Sequence, residues 1–108
     1  MSARPSSRAT LYRHGDVLVK QVSHIPDGAV KRNHLVLAEG EMTGHAHRVA
    51  EADSAELYQR GVELYLHVLA TNATLIHQEH GPISLGRGKY RIWRQREYAP
   101  REIRTVRD

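Results

Sequence analysis

No stretch of this chain repeats apolar residues at a helical period over three turns, while short valine- and leucine-rich segments recur between glycine, proline and asparagine. Alternation with a period of two buries one face of an extended strand, so this pattern predicts β-structure. In the segment Val62 to Ala70, Val62, Leu64, Leu66 and Val68 fall on one face. Strands are expected near residues 16–22, 30–38, 62–70, 73–78 and 90–98. Turns are expected at Ile25-Pro26-Asp27-Gly28, Gly61, Asn72, Gly81-Pro82 and Gly86-Arg87-Gly88-Lys89, where proline presets φ and glycine accepts positive φ. Ala50 to Arg60, AEADSAELYQR, reads equally as a short helix or as a loop and strand. Ile103 to Val106 is expected as a last edge strand. Several short strands with regular turns give an all-β domain, a small barrel or sandwich.

The length of 108 residues suits one such domain, with residues 1–9 as a disordered Ser- and Arg-rich tail and 10–108 as the β-domain. No apolar run is long enough for a membrane helix, and the N-terminus lacks the apolar centre of a secretory signal. There is no cysteine, which excludes disulfides and thiolate metal sites and fits a cytoplasmic protein. Any metal must be held by nitrogen and oxygen. The net charge of +4 is unevenly spread. From Gly86 onward eight Lys or Arg face three acids, whereas the preceding residues carry eight bases and nine acids. The excess positive charge therefore belongs to the C-terminal segment and bears on partners.

Four of the eight histidines are paired: His45 and His47 in GHAH, His77 and His80 in HQEH. The other four, His14, His24, His34 and His67, are scattered. Residues i and i+2 of a strand point to one side, so HAH sets two imidazoles side by side with Cβ atoms about 6–7 Å apart. Both can then reach one ion about 2 Å from each nitrogen. A bend before Gly81-Pro82 can aim His77 and His80 at the same point. Imidazole suits Zn, Fe, Mn or Ni, with Glu79, Glu51 and Glu41 as available carboxylates. The expectation is one divalent ion held by His45, His47, His77 and His80, with Glu79 or His80 free to act as a base. A solvated histidine cluster, or a general-base pair without metal, is the alternative.

Residues 45–51, HAHRVAE, resemble the HxHxxxE core of the first cupin motif. That resemblance implies a metal inside a β-barrel with His45, His47 and Glu51 as ligands. Gly40 is one residue too close to His45 for the cupin spacing, and no second cupin motif is present. GDVLV, GEMTGHAH, HQEHGPISLGRGKY and RQREYAP together resemble a family of small uncharacterised bacterial and phage proteins, which implies no chemistry. IPDG followed by a GH-containing turn is similar to β-clip domains of the SAF type.

Two functions of different kinds follow. One is a metal-dependent enzyme on a phosphorylated or other anionic substrate, with Arg94 and Arg96 on one strand face as an anion site. The other is a non-catalytic module that binds nucleic acid or another polyanion through the C-terminal arginines, with a structural metal or none. A third possibility is an accessory protein or oligomer completed by a partner. Phosphate-binding glycine loops and nucleophile elbows are absent from the sequence, and one Trp without Phe gives no base-stacking platform.

Overall fold

The computed structural model describes residues 11–39 and 46–95. The described residues form eight β-strands and no α-helix: β1 (Leu11–His14), β2 (Val17–Val22), β3 (Val30–Lys31), β4 (Val36–Glu39), β5 (Ala46–Val49), β6 (Ala55–Arg60), β7 (Glu63–Ile76) and β8 (Ile83–Arg94). All pair antiparallel in one sheet of order β1-β2-β8-β7-β5-β4, with β6 on β7 and β3 on β6. The sheet curls into a half-barrel. The all-β expectation holds, and the ambiguous segment 50–60 resolves into a turn followed by β6.

Alternation fixes which side chains fill the interior. Val17 and Val19 of β2, Leu66 and Val68 of β7, Tyr90 and Ile92 of β8, Leu57 of β6 and Val49 of β5 share one buried cluster. Leu57, Leu66 and Val68 are completely buried. Each such side chain contributes about 1.5–3 kcal/mol when removed from water, which outweighs the weak intrinsic preference of any one strand.

Four expectations shift. The segment 30–38 divides, because Arg32 N donates to Leu57 O and His34 Nδ1 takes the Val36 N–H before β4 begins. Val62 belongs to the Gly61 turn and is 94% exposed instead of lying with Leu64. The predicted turn at Asn72 lies inside β7, and the predicted hairpin at 86–89 lies inside β8. Both fall at the same place, a register break where Val68 pairs with Gly88 and Asn72 with Gly86. Three residues of β7 there oppose one of β8, so the two glycines and Asn72 mark a bulge that bends a continuous ribbon. A tight turn not foreseen, Gly15-Asp16 with Gly15 at φ 64°, joins β1 to β2. The tail at 1–9, the far part of the 90–98 strand and the strand at 103–106 lie outside the described residues.

The bend has a topological result. β7 and β8 coil, and the end of β7 returns towards β1, which lies two strands beyond the other end of β8. The inward-facing positions at that mouth of the half-barrel are occupied by polar residues.

Candidate metal centre

Interior alternation continues past the apolar cluster into histidines. On β1, Tyr12 packs against the core and His14 follows two residues later; His14 is 2% exposed. On β5, Val49 is core and His47, two residues earlier, is also 2% exposed. On β7, Ala73 and Leu75 face inward and His77 continues their face. On β8, Tyr90 and Ile92 face inward and Arg94 follows. His80 arrives from the β7–β8 turn and lies over Gly15: a Cβ built there would stand 2.6 Å from His80 Nε2 and 3.1 Å from His47 Cε1.

Four imidazoles therefore meet. Ring centroids are 4.9 Å apart for His14 and His47, 4.2 Å for His47 and His77, 4.8 Å for His77 and His80, and 5.7 Å for His14 and His80. His47, His77 and His80 are brought together as the sequence suggests. His14, read there as scattered, is the ring that sequence reasoning missed. Its signal was the HGD triplet at the head of a valine-rich strand: a glycine turn that returns the chain sets the preceding residue at the rim of the sheet. His45, Arg96 and Glu41 lie outside the described residues.

Glu51 has another task. Its Oε1 accepts the Thr74 N–H at 2.9 Å and its Oε2 the Thr74 hydroxyl at 2.7 Å. Thr74 alternates with the inward Ala73 and Leu75, so its side chain and Glu51 lie across β7 from the histidines. The Thr74 hydroxyl, followed by the backbone N–H, holds the Glu51 carboxyl below its ordinary range. Of the ligands implied by the cupin resemblance, only His47 stands in the cluster among the described residues. Glu79, expected as a base, gives its backbone N–H to His77 Nδ1 at 3.0 Å, and its residue is exposed.

Hydrogen bonding sets the ring tautomers. His14 Nε2 donates to Gly81 O at 2.9 Å, which leaves Nδ1 of a neutral ring as a lone pair. That Nδ1 faces His47 Nδ1 at 2.9 Å. His47 Nε2 faces Asp16 Oδ1 at 3.5 Å. The other Asp16 oxygen stands 3.5 Å from Arg94 Nη2. His77, accepting at Nδ1, carries its proton on Nε2 when neutral. Burial first, then the neighbouring His77 and His14 rings, push His47 down from 6.5 to about 4. Burial, followed in effect by the opposing Gly81 hydrogen bond, leaves His14 below its ordinary value as well. Both shifts favour the neutral form of the ring.

Three gaps thus run in series: Gly81 O to His14, His14 to His47, and His47 to Asp16. The first two are hydrogen-bond contacts at 2.9 Å, and the third, at 3.5 Å, is longer than a hydrogen bond. Two neutral imidazoles supply two protons. Those two protons satisfy the Gly81–His14 and His14–His47 contacts, and His47 Nε2 then faces Asp16 as a lone pair. Among the described residues no group of three His, Asp or Glu side chains already stands in metal-holding geometry, so the centre is a two-nitrogen pair with two further rings beside it.

The fold and site define a curled antiparallel β-domain with a histidine-lined mouth. The chain belongs to the family described as domain of unknown function (DUF8820), whose match covers residues 13–95, from the residue before His14 to the one after Arg94. No curated protein and no solved structure matches it. No described helix is long and apolar enough to cross a membrane.

Proposed function

We propose that this domain holds one divalent ion at the Nδ1 atoms of His14 and His47 and offers its open side to a small anionic ligand. The observation that carries this reading is the pair of buried Nδ1 atoms facing each other at 2.9 Å, with each ring's Nε2 turned towards an oxygen, of Gly81 or Asp16. An ion between the two Nδ1 atoms would place the proton of each ring on Nε2, where His14 faces Gly81 O and His47 faces Asp16. A ligating histidine whose other nitrogen donates to a carbonyl or carboxylate is the usual support for a metal site, since it fixes the tautomer and raises basicity. Two nitrogens on one zinc stand about 3.3 Å apart at the tetrahedral angle. The observed 2.9 Å needs to widen only slightly. His77, His80 and His45 are the candidates for the remaining positions. Zn, Fe, Mn and Ni all suit an imidazole set.

An anionic ligand suits the rest of the mouth. Arg94 lies one carboxylate away from His47, and Asp16 between them is part exposed. A guanidinium that close to a metal favours an oxyanion such as phosphate or carboxylate. If the ion keeps an open position, it acidifies a bound water or polarises a ligand oxygen, and the domain is then a metal-dependent enzyme.

Protein prepared without a polyhistidine tag or chelating resin is tested by elemental analysis and by titration with Zn, Mn, Ni and, anaerobically, Fe(II). One ion per chain is expected, lost in His14→Ala and in His47→Ala and kept in His24→Ala, since His24 is exposed and bonded only to Ser23 among the described residues. Full stoichiometry in His14→Ala, or no binding of any of the four metals, overturns the reading.

A further inference from the structure

We propose that a groove beside β5, apart from the histidine mouth, is a second ligand site, for a small monocarboxylate carrying a hydrocarbon chain. Alternation along β5 sends His47 inward and Arg48 outward, and the groove is lined by Arg48 and by none of the four clustered histidines. It opens between the β3–β4 connection and the β5–β6 connection, with a volume of about 600 Å³. Leu35, Val36 and Leu69 contribute its apolar surface, with Leu57 buried beneath, and Leu69 is 44% exposed.

The charges around the groove are not equivalent. Lys31 Nζ is paired with Glu56 Oε2 at 3.2 Å, and Arg32 is hydrogen-bonded to Gln59. Arg48 lines the groove, is exposed and has no side-chain partner among the described residues. Its register partner is Val36, so the guanidinium stem and an apolar side chain stand side by side. His34 also lines the groove, and its Nδ1 accepts the Val36 N–H at 3.1 Å. The proton of a neutral His34 is therefore on Nε2, a second donor. Among the described residues, Asp53 is the one acid of the lining left without a basic partner after Lys31 and Glu56 are matched. Two donors next to apolar surface recognise a carboxylate head with a hydrocarbon tail. The Asp53 charge opposes a dianion such as inorganic phosphate.

The test is a titration of the full ¹⁵N-labelled chain with hexanoate, with hexan-1-ol and inorganic phosphate as comparators. Saturable shifts are expected at the amides of Arg48, Val36 and Leu69 with hexanoate. Arg48→Gln weakens that binding about tenfold, the scale of a charge-assisted hydrogen bond. Equal binding of hexan-1-ol, tighter binding of phosphate, an unchanged affinity in Arg48→Gln, or no saturable shift each overturns the proposal. Arg48 is exposed, so the variant keeps the fold, which its thermal midpoint checks. This site stands apart from the metal reading, and metal content in Arg48→Gln is expected to be that of the parent.

Discussion

Gly15 carries two demands at one atom. Its φ of 64° strains any residue with a Cβ, and the space a Cβ needs is filled by His80 and His47. Gly15→Ala is expected to cost about 1–3 kcal/mol in urea denaturation from the backbone alone. It also displaces His80, so under the proposed metal reading affinity for the ion falls further than stability; equal stability and affinity in the variant and parent would count against this packing. The buried histidines give a pH prediction for the metal-free chain. The folded-state value of His47, about 4, lies below the 6.5 of an unfolded histidine, so the unfolded chain binds more protons between those values. Stability is unaffected above about 6.5 and falls as pH drops towards 4, by about 3 kcal/mol from this residue. In His47→Asn the slope of urea stability against pH is expected to flatten over that window. At this scale the sequence showed which residue types were available, and its paired motifs contained His47, His77 and His80. It could not show His14, because neighbours in space across a curled sheet have no common spacing along the chain. The position of Glu51 was not legible for a related reason: HxHxxxE counts residues, whereas the chain leaves β5 after Val49 and turns its carboxylate to Thr74.

At the scale of elements, strand identity was legible wherever one face is apolar, as in VLVKQV and ELYLHV. Strand continuity was not. Gly86, Gly88 and Asn72 are turn residues by chemistry, and a bulge uses the same chemistry to bend a ribbon without ending it. The distinction lies in the partner strand, which a local reading does not contain. The two glycines are expected to differ on substitution. Gly88 has φ 148° and a Cβ there would stand 3.1 Å from Gln21 Nε2, whereas a Cβ at Gly86 meets nothing within 4 Å. Gly88→Ala should therefore lose about 1–3 kcal/mol, the usual cost of a strained backbone, in a denaturant titration. Gly86→Ala should stay within about 0.5 kcal/mol of the parent, as exposed substitutions without such features do.

For the whole molecule, the interior side chains and the mouth depend on different contacts. Leu66 is fully buried at the centre, and Leu66→Ala is expected to lower stability by about 2–5 kcal/mol in urea. His14 sits on the first strand of the sheet order and His47 one strand in from the last, yet their nitrogens are 2.9 Å apart. The site exists only when the far margins of the sheet come together. Their separation of 33 positions along the chain makes this a non-local contact, of the kind that rewards folding only after loop-closure entropy has been met. An ion gripping both margins would act on the unfolding limb of the kinetics far more than on the refolding limb, as interactions absent from the transition state do. The mouth would then work as a latch, and the lifetime of the folded chain would be set by how long the ion stays in place.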